Sequence, residues 1–103
     1  MERLEFNFGD WLNPRRGYIY GEIVDSEFFQ TTPYTSITVH LIRLGDGYGY
    51  REGQWAVVEE WRQENDPEYS DCDEAGIIVF NSEQEARKHF EKRVEELFEE
   101  YPQ

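Results

Sequence analysis

The sequence predicts an α+β fold: a mostly antiparallel sheet or half-barrel of about five strands, packed against one C-terminal amphipathic helix. Segments with strand-like alternation or composition recur through most of the chain, separated by turns that contain glycine or proline. The C-terminal segment instead carries apolar residues at helical spacing. The chain has 103 residues, 38% hydrophobic and 17% aromatic. That content can build one core, so residues 1–103 are predicted to form a single domain.

Five segments have the pattern or composition of strands. They are Leu4–Phe8, Tyr18–Val24, Ser36–Leu44, Gln54–Arg62 and Gly76–Phe80. Gly21, in the middle of the second strand, suggests a bulge or a close backbone approach. Residues 26–34 are predicted to be a connector, because Pro33 cannot continue a central strand. Residues 63–74 are predicted to be an acidic loop, and the apolar run after them a buried strand.

The C-terminal helix begins at a capping box, in which Ser82 and Glu85 satisfy backbone amides reciprocally. Glu83 with Arg87, and Glu85 with His89, are favourable pairs one helical turn apart. One apolar stripe follows, which predicts that the helix packs on the sheet. Its members are Ala86, Phe90, Val94, Leu97, Phe98 and Tyr101.

Charge is unevenly distributed along the chain, whose formal net charge is −13. Residues 1–51 hold 7 acids and 5 bases, whereas residues 52–103 hold 16 acids and 5 bases. Such an excess repels nucleic acid and anionic membranes and favours basic partners. One acidic cluster occupies residues 59–74. A second lies at the C-terminal end of the helix, where the helix dipole disfavours negative charge.

These clusters predict a small acidic binding or inhibitory protein that engages a basic protein surface. One concrete form is a nucleic-acid mimic of phage or mobile-element type, whose carboxylates occupy the cleft of a nucleic-acid-binding protein in place of phosphates. The alternative is a regulatory or adaptor domain that recognises a protein through a sheet face or a free strand edge, its acidity serving solubility. The expected partner contacts are Glu59, Glu60, Glu64, Asp66, Glu68, Asp71, Asp73, Glu95, Glu96, Glu99 and Glu100, with Tyr48 and Tyr50 as the aromatic complement.

The glycine-rich segment 45–53 is predicted to be a long hairpin loop that displays Tyr48 and Tyr50. A phosphate-binding loop would open a helix and carry a lysine, whereas here a strand follows and no lysine is near.

The sequence predicts neither catalysis nor a bound metal or cofactor. The lone Cys72 lies among acids, which are expected to raise the thiol pKa, and His40 and His89 fit a half-exposed sheet residue and a solvated helix residue. Asp71 and Asp73 begin a calcium-loop pattern that the following residues do not complete. No apolar run is long enough to cross a membrane and the N-terminal residues lack a signal-peptide pattern, so a cytoplasmic protein is expected. Pairing of two copies through an open strand edge is compatible with the pattern.

Overall fold

A computed structural model of the chain describes residues 1–9, 13, 15–63 and 72–103, without the side chains of Cys72 and Asp73. Five strands and one helix lie within those residues, which confirms the predicted α+β class. The elements are β1 (Glu2–Asn7), β2 (Arg16–Thr32), β3 (Thr35–Leu44), β4 (Trp55–Gln63), β5 (Cys72–Phe80) and α1 (Glu83–Glu100).

The strands form one sheet in the order β1-β2-β3-β4-β5, and each strand pairs antiparallel with the next along the chain. The sheet curls, so that Leu4 of β1 and Ile77 of β5 pack against the same cluster although they come from its two opposite edges. The predicted five-stranded half-barrel is therefore confirmed. Its curl gives the sheet a concave inner face and an outer face that carries the helix.

Each face of the sheet buries its own apolar cluster, because successive side chains on a strand point to opposite faces. On β4, Val57 packs towards the helix while Ala56 and Val58 pack inside the curl, as their alternation predicts. The buried outer cluster contains Phe29, Ile37, Val39, Leu41, Val57, Ala86, Phe90 and Leu97. The buried inner cluster contains Phe6, Ile19, Ile42, Leu44, Ala56 and Val58.

The helix begins where the capping box predicts. The Ser82 hydroxyl accepts a hydrogen bond from the Glu85 amide, with 3.2 Å between Oγ and N. The expected pair between Glu83 and Arg87 forms at 3.1 Å, whereas His89 lies against the ring of Phe80. The apolar stripe of α1 faces the outer side of the sheet, where Ala86, Phe90 and Leu97 are buried.

The predicted connector over residues 26–34 is wrong. β2 runs on to Thr32, and only Pro33 and Tyr34 form the turn before β3. Pro33 does end the strand, as its missing N–H requires, but the polar residues before it still pair with β3 through residues 25–32. The proximity expected at Gly21 is confirmed, since an added Cβ would lie 2.6 Å from the Arg43 carbonyl oxygen.

The fifth strand is longer and more exposed than the sequence predicts. It begins at Cys72, inside the predicted loop 63–74, because the pairing with β4 continues to Gln63. It is an edge strand, and Ile78 is 48% exposed, so the prediction of a buried strand is wrong. An apolar run alone does not distinguish a covered strand from an edge.

The glycine-rich segment is a hairpin loop between β3 and β4, as predicted. It turns through three glycines and Tyr48 with positive φ, including 52° at Tyr48 and 89° at Gly49. Tyr48 is 54% exposed and its ring lies 5.8 Å from that of Tyr18. Tyr50 instead packs against the inner cluster, so the loop displays only one of the two tyrosines.

Candidate functional site

Two of the predicted partner contacts, Glu59 and Glu96, form ion pairs with the same arginine. The Arg93 guanidinium makes two bonds to Glu59, at 2.7 and 2.9 Å, and a third to Glu96 at 3.3 Å. Hydrogen bonding to Glu59 raises the pKa of Arg93 above its already high usual value. The pair with Glu59 links α1 to β4, whereas Glu96 lies on the same helix as Arg93 and its side chain stays 48% exposed.

Glu60 lies on the face of β4 opposite to Glu59, and its carboxylate also has a hydrogen-bonding partner. Its carboxylate is 2.6 Å from Nε2 of His40, whose Nδ1 is 2.6 Å from the Ser26 hydroxyl. A neutral imidazole with its proton on Nε2 satisfies both contacts, by donating to Glu60 and accepting from Ser26. This series of hydrogen bonds crosses the adjacent strands β2, β3 and β4 on the polar half of the inner face. His40 is therefore more enclosed and better bonded than the half-exposed sheet residue that the sequence predicts.

Four other predicted contacts lie outside the described residues. They are Glu64, Asp66, Glu68 and Asp71. Asp73 pairs with Arg62 in the strand register, but its side chain is not described. The calcium-loop pattern begins at Asp71, outside the described residues, and the positions that follow it form β5. Among the side chains that are described, no group of three or more His, Cys, Asp or Glu is placed to hold a metal ion.

Glu95 and Glu99 border an open groove of about 480 Å³ between α1 and β2. Three apolar helix residues spaced one turn apart form its floor, and carboxylates stand on both sides of them. The floor consists of Phe90, Val94 and Phe98, and the acidic rim consists of Asp25 and Glu27 on β2 with Glu91, Glu95 and Glu99 on α1.

The geometry of the groove follows from the local structure on each side. Asp25 and Glu27 face the helix because they alternate along β2 with Ser26 and Phe28, and because Phe29, next on the same face, is buried under α1. Phe98 packs edge-on against Phe29 with 4.9 Å between ring centroids, yet remains 49% exposed. The groove thus combines exposed aromatic surface with a ring of negative charge.

Within the part of the chain that the structure describes, none of the five rim carboxylates forms an ion pair. Farther along the helix, partial burial raises the pKa of the Tyr101 phenol, and the neighbouring charge of Glu100 raises it further. The last turn of α1 contains no basic residue. The end of the helix beyond the groove is therefore negative as well.

Sequence reasoning missed three of the five rim residues, Asp25, Glu27 and Glu91. The first two fall in the segment that the sequence predicts to be a connector. One signal was available: Phe98 widens the apolar stripe of α1 beyond the residues that the sheet covers, and Glu91, Glu95 and Glu99 run beside it at helical spacing.

The edge of β2 that faces away from β3 adjoins the groove. β1 pairs with β2 only from Arg16 to Gly21, whereas β3 pairs with it as far as Thr32. No described strand pairs with the other edge of β2 beyond Gly21. Phe28, on this stretch and on the inner face, is 57% exposed.

Comparisons with known proteins give no further guide: no family model matches the chain, and no curated protein or solved structure matches it. Within the described residues, no helix has the length and apolar character that a membrane crossing requires.

Proposed function

We propose that the protein binds a basic, partly apolar segment of another protein in the groove between β2 and α1. The observation that carries the proposal is the groove itself, in which five carboxylates on β2 and α1 border an apolar floor whose Phe98 is exposed. Lysine and arginine side chains have apolar stems and charged ends, so their stems would cover Val94 and Phe98 while their charges reach the rim.

The groove favours this form of acidic binding over a regular array of phosphate-like charges. Glu59 is paired with Arg93, which also contacts Glu96, and Glu60 is bonded to His40. These three predicted contacts therefore already have partners within the fold. A nucleic-acid mimic needs carboxylates that project freely, whereas an acidic rim around aromatic surface suits a basic peptide chain. Basic nucleic-acid-binding proteins are one class of partner that presents such segments, and occupying one would inhibit it.

The regulatory or adaptor alternative differs in its response to salt. If acidity served solubility alone, binding through apolar surface would change little with ionic strength. A partner held by the rim would instead lose affinity by about tenfold or more between about 50 and 500 mM NaCl.

The test uses two synthetic octapeptides of lysine and valine with equal composition. One alternates the two residues, and the other places valine at helical spacing. Fluorescence anisotropy is measured with the intact protein, and peptides with glutamate for lysine, or serine for valine, serve as controls. Salt-sensitive binding of at least one lysine–valine peptide, with weaker binding of both controls, is the expected result. Absence of binding by both lysine–valine peptides at low salt would refute the proposal.

A matched pair of variants locates the contact. Glu91→Gln/Glu95→Gln/Glu99→Gln removes three rim charges and is expected to weaken binding about tenfold or more. Glu2→Gln/Glu52→Gln/Glu74→Gln changes the net charge equally at exposed positions outside the groove and is expected to stay within about twofold. An equal loss in both variants would mean that only the overall charge attracts the peptide.

A further inference from the structure

The edge of β2 that no described strand pairs with beyond Gly21, called the free edge below, already accepts an amide group as a partner strand would. The side chain of Gln103 lies against the backbone of Gln30: its Oε1 accepts from the Gln30 amide at 3.0 Å, and its Nε2 donates to the Gln30 carbonyl at 3.3 Å. Both backbone groups of Gln30 therefore point away from β3. This pair of bonds matches what one residue of an added antiparallel strand makes with its neighbour.

The same edge continues towards the groove. Along a strand, the backbone hydrogen-bonding groups of successive residues point to alternate edges. Those of Phe28 and Ser26 therefore point to the same edge as those of Gln30. The hydrogen bond of the Ser26 backbone amide is consistent with this orientation, because its acceptor is the Asp25 carboxylate, at 2.9 Å, and not a backbone group of β3. Between these two satisfied positions lies Phe28, with its amide and carbonyl on the open edge.

We propose that the basic segment is bound as an added β-strand along the edge of β2, over Asp25–Gln30. The proposal rests on the binding function above and specifies how the partner is held. Alternate side chains of the added strand would face the groove, where the rim requires basic residues. The others would face the inner side, where Ile23 and Phe28 are exposed and apolar. The preferred partner therefore alternates basic and apolar residues, which is the pattern of strand addition.

A second copy of this chain does not fit the same edge. Self-pairing would place Asp25 and Glu27 beside their own copies, between two molecules that each carry a net charge of −13. The register shift between Ile23 and Asp25 also interrupts the edge, and bulges and inward-pointing charges are devices that prevent edge-to-edge pairing. A basic strand would be attracted by the charges of Asp25 and Glu27, whereas a second copy of the chain would be repelled by them.

The test compares two N-methylated versions of the alternating lysine–valine octapeptide. One carries methyl groups on the lysine amides and the other on the valine amides, so that each blocks a different edge of the extended peptide. One version is expected to lose about tenfold or more in affinity, because its hydrogen bonds to β2 are removed. The other is expected to stay within about twofold, since its methyl groups face solvent. Equal affinities of the two versions would overturn the proposal.

Variants of the protein examine the same contact from the other side. Phe28→Pro removes an amide that points away from β3, a position that proline tolerates in an edge strand. Phe28→Ala keeps that amide and removes the same ring. Phe28→Pro is expected to bind the alternating peptide about fivefold more weakly than Phe28→Ala, and equal binding by the two folded variants would overturn the proposal.

The outcomes separate this proposal from the function on which it rests. If a lysine–valine peptide binds in a salt-sensitive way but N-methylation of either edge has the same effect, the groove binds basic peptides without strand addition. If no lysine–valine peptide binds, both proposals fail. If Phe28→Pro does not fold, which circular dichroism shows, the methylated peptides still decide the question.

Discussion

Replacing Arg93 with methionine tests the ion pair that links α1 to the sheet. The guanidinium and the Glu59 carboxylate share two hydrogen bonds, and their side chains are 24% and 19% exposed. An exposed pair contributes less than about 1 kcal/mol, whereas breaking a buried one costs about 3–5 kcal/mol. This pair lies between those cases and the methionine keeps much of the stem, so Arg93→Met is expected to cost about 2 kcal/mol.

Urea denaturation of the folded protein measures this loss, and thermal melting measures the corresponding fall in Tm, about 10 °C for a domain of this size. Lys92→Met is the matched control, because Lys92 is an exposed neighbour on α1 that forms no ion pair within the described residues. It is expected to change the free energy of unfolding by less than about 0.5 kcal/mol.

A double-mutant cycle with Glu59→Gln isolates the pair from other effects of the substitution. A coupling energy of about 1 kcal/mol or more is expected, because the two side chains are in direct contact. A coupling energy near zero, with Arg93→Met as stable as the parent, would refute the assignment of Glu59 as a structural rather than a partner-binding carboxylate.

Two further substitutions test the local structure. Ser82→Ala removes the oxygen that accepts from the Glu85 amide and is expected to cost about 1 kcal/mol in urea denaturation; an unchanged midpoint would mean that the cap is dispensable. Gly21→Ala places a methyl group 2.6 Å from the Arg43 carbonyl oxygen and is expected to cost about 2 kcal/mol, whereas Gly76→Ala meets no atom within 4 Å and is expected to cost nothing measurable; equal stabilities would contradict the close approach.

The sequence predicts most of the fold because its strongest local signals agree with the packing. The alternation of Val57 with its neighbours divides β4 between two clusters, and the capping box marks the first turn of α1. The wrong predictions concern segments at strand edges, namely the end of β2 and the edge strand β5. Ser26 and Gln30 lie on a strand with one free edge and one exposed face, where polar residues are tolerated and the alternation of apolar residues is lost.

The site was harder to predict because long-range contacts decide which carboxylates are paired within the fold. Arg93 and Glu59 are 34 residues apart, and His40 and Glu60 are 20 apart, so nothing local shows which carboxylates are engaged. Counting acids located the excess in the second half of the chain. It did not show that Asp25 and Glu27, from the nearly neutral first half, complete the rim.

Under the proposed binding mode, those two residues would give the acidity of the protein a role that neither solubility nor charge mimicry supplies alone. An open strand edge beside aromatic surface is a hazard, because it will pair with other strands. Asp25 and Glu27 reduce that hazard between copies of the chain, since like charges repel and the Ser26 amide is already occupied. In the proposed complex, the same charges would attract a basic strand, which would displace a carboxylate from one amide and neutralise it in the same step. Protection from self-association and selection of a basic partner would then depend on the same carboxylates. Neutralising Asp25 and Glu27 together is then expected to weaken peptide binding and to promote association of the protein with itself.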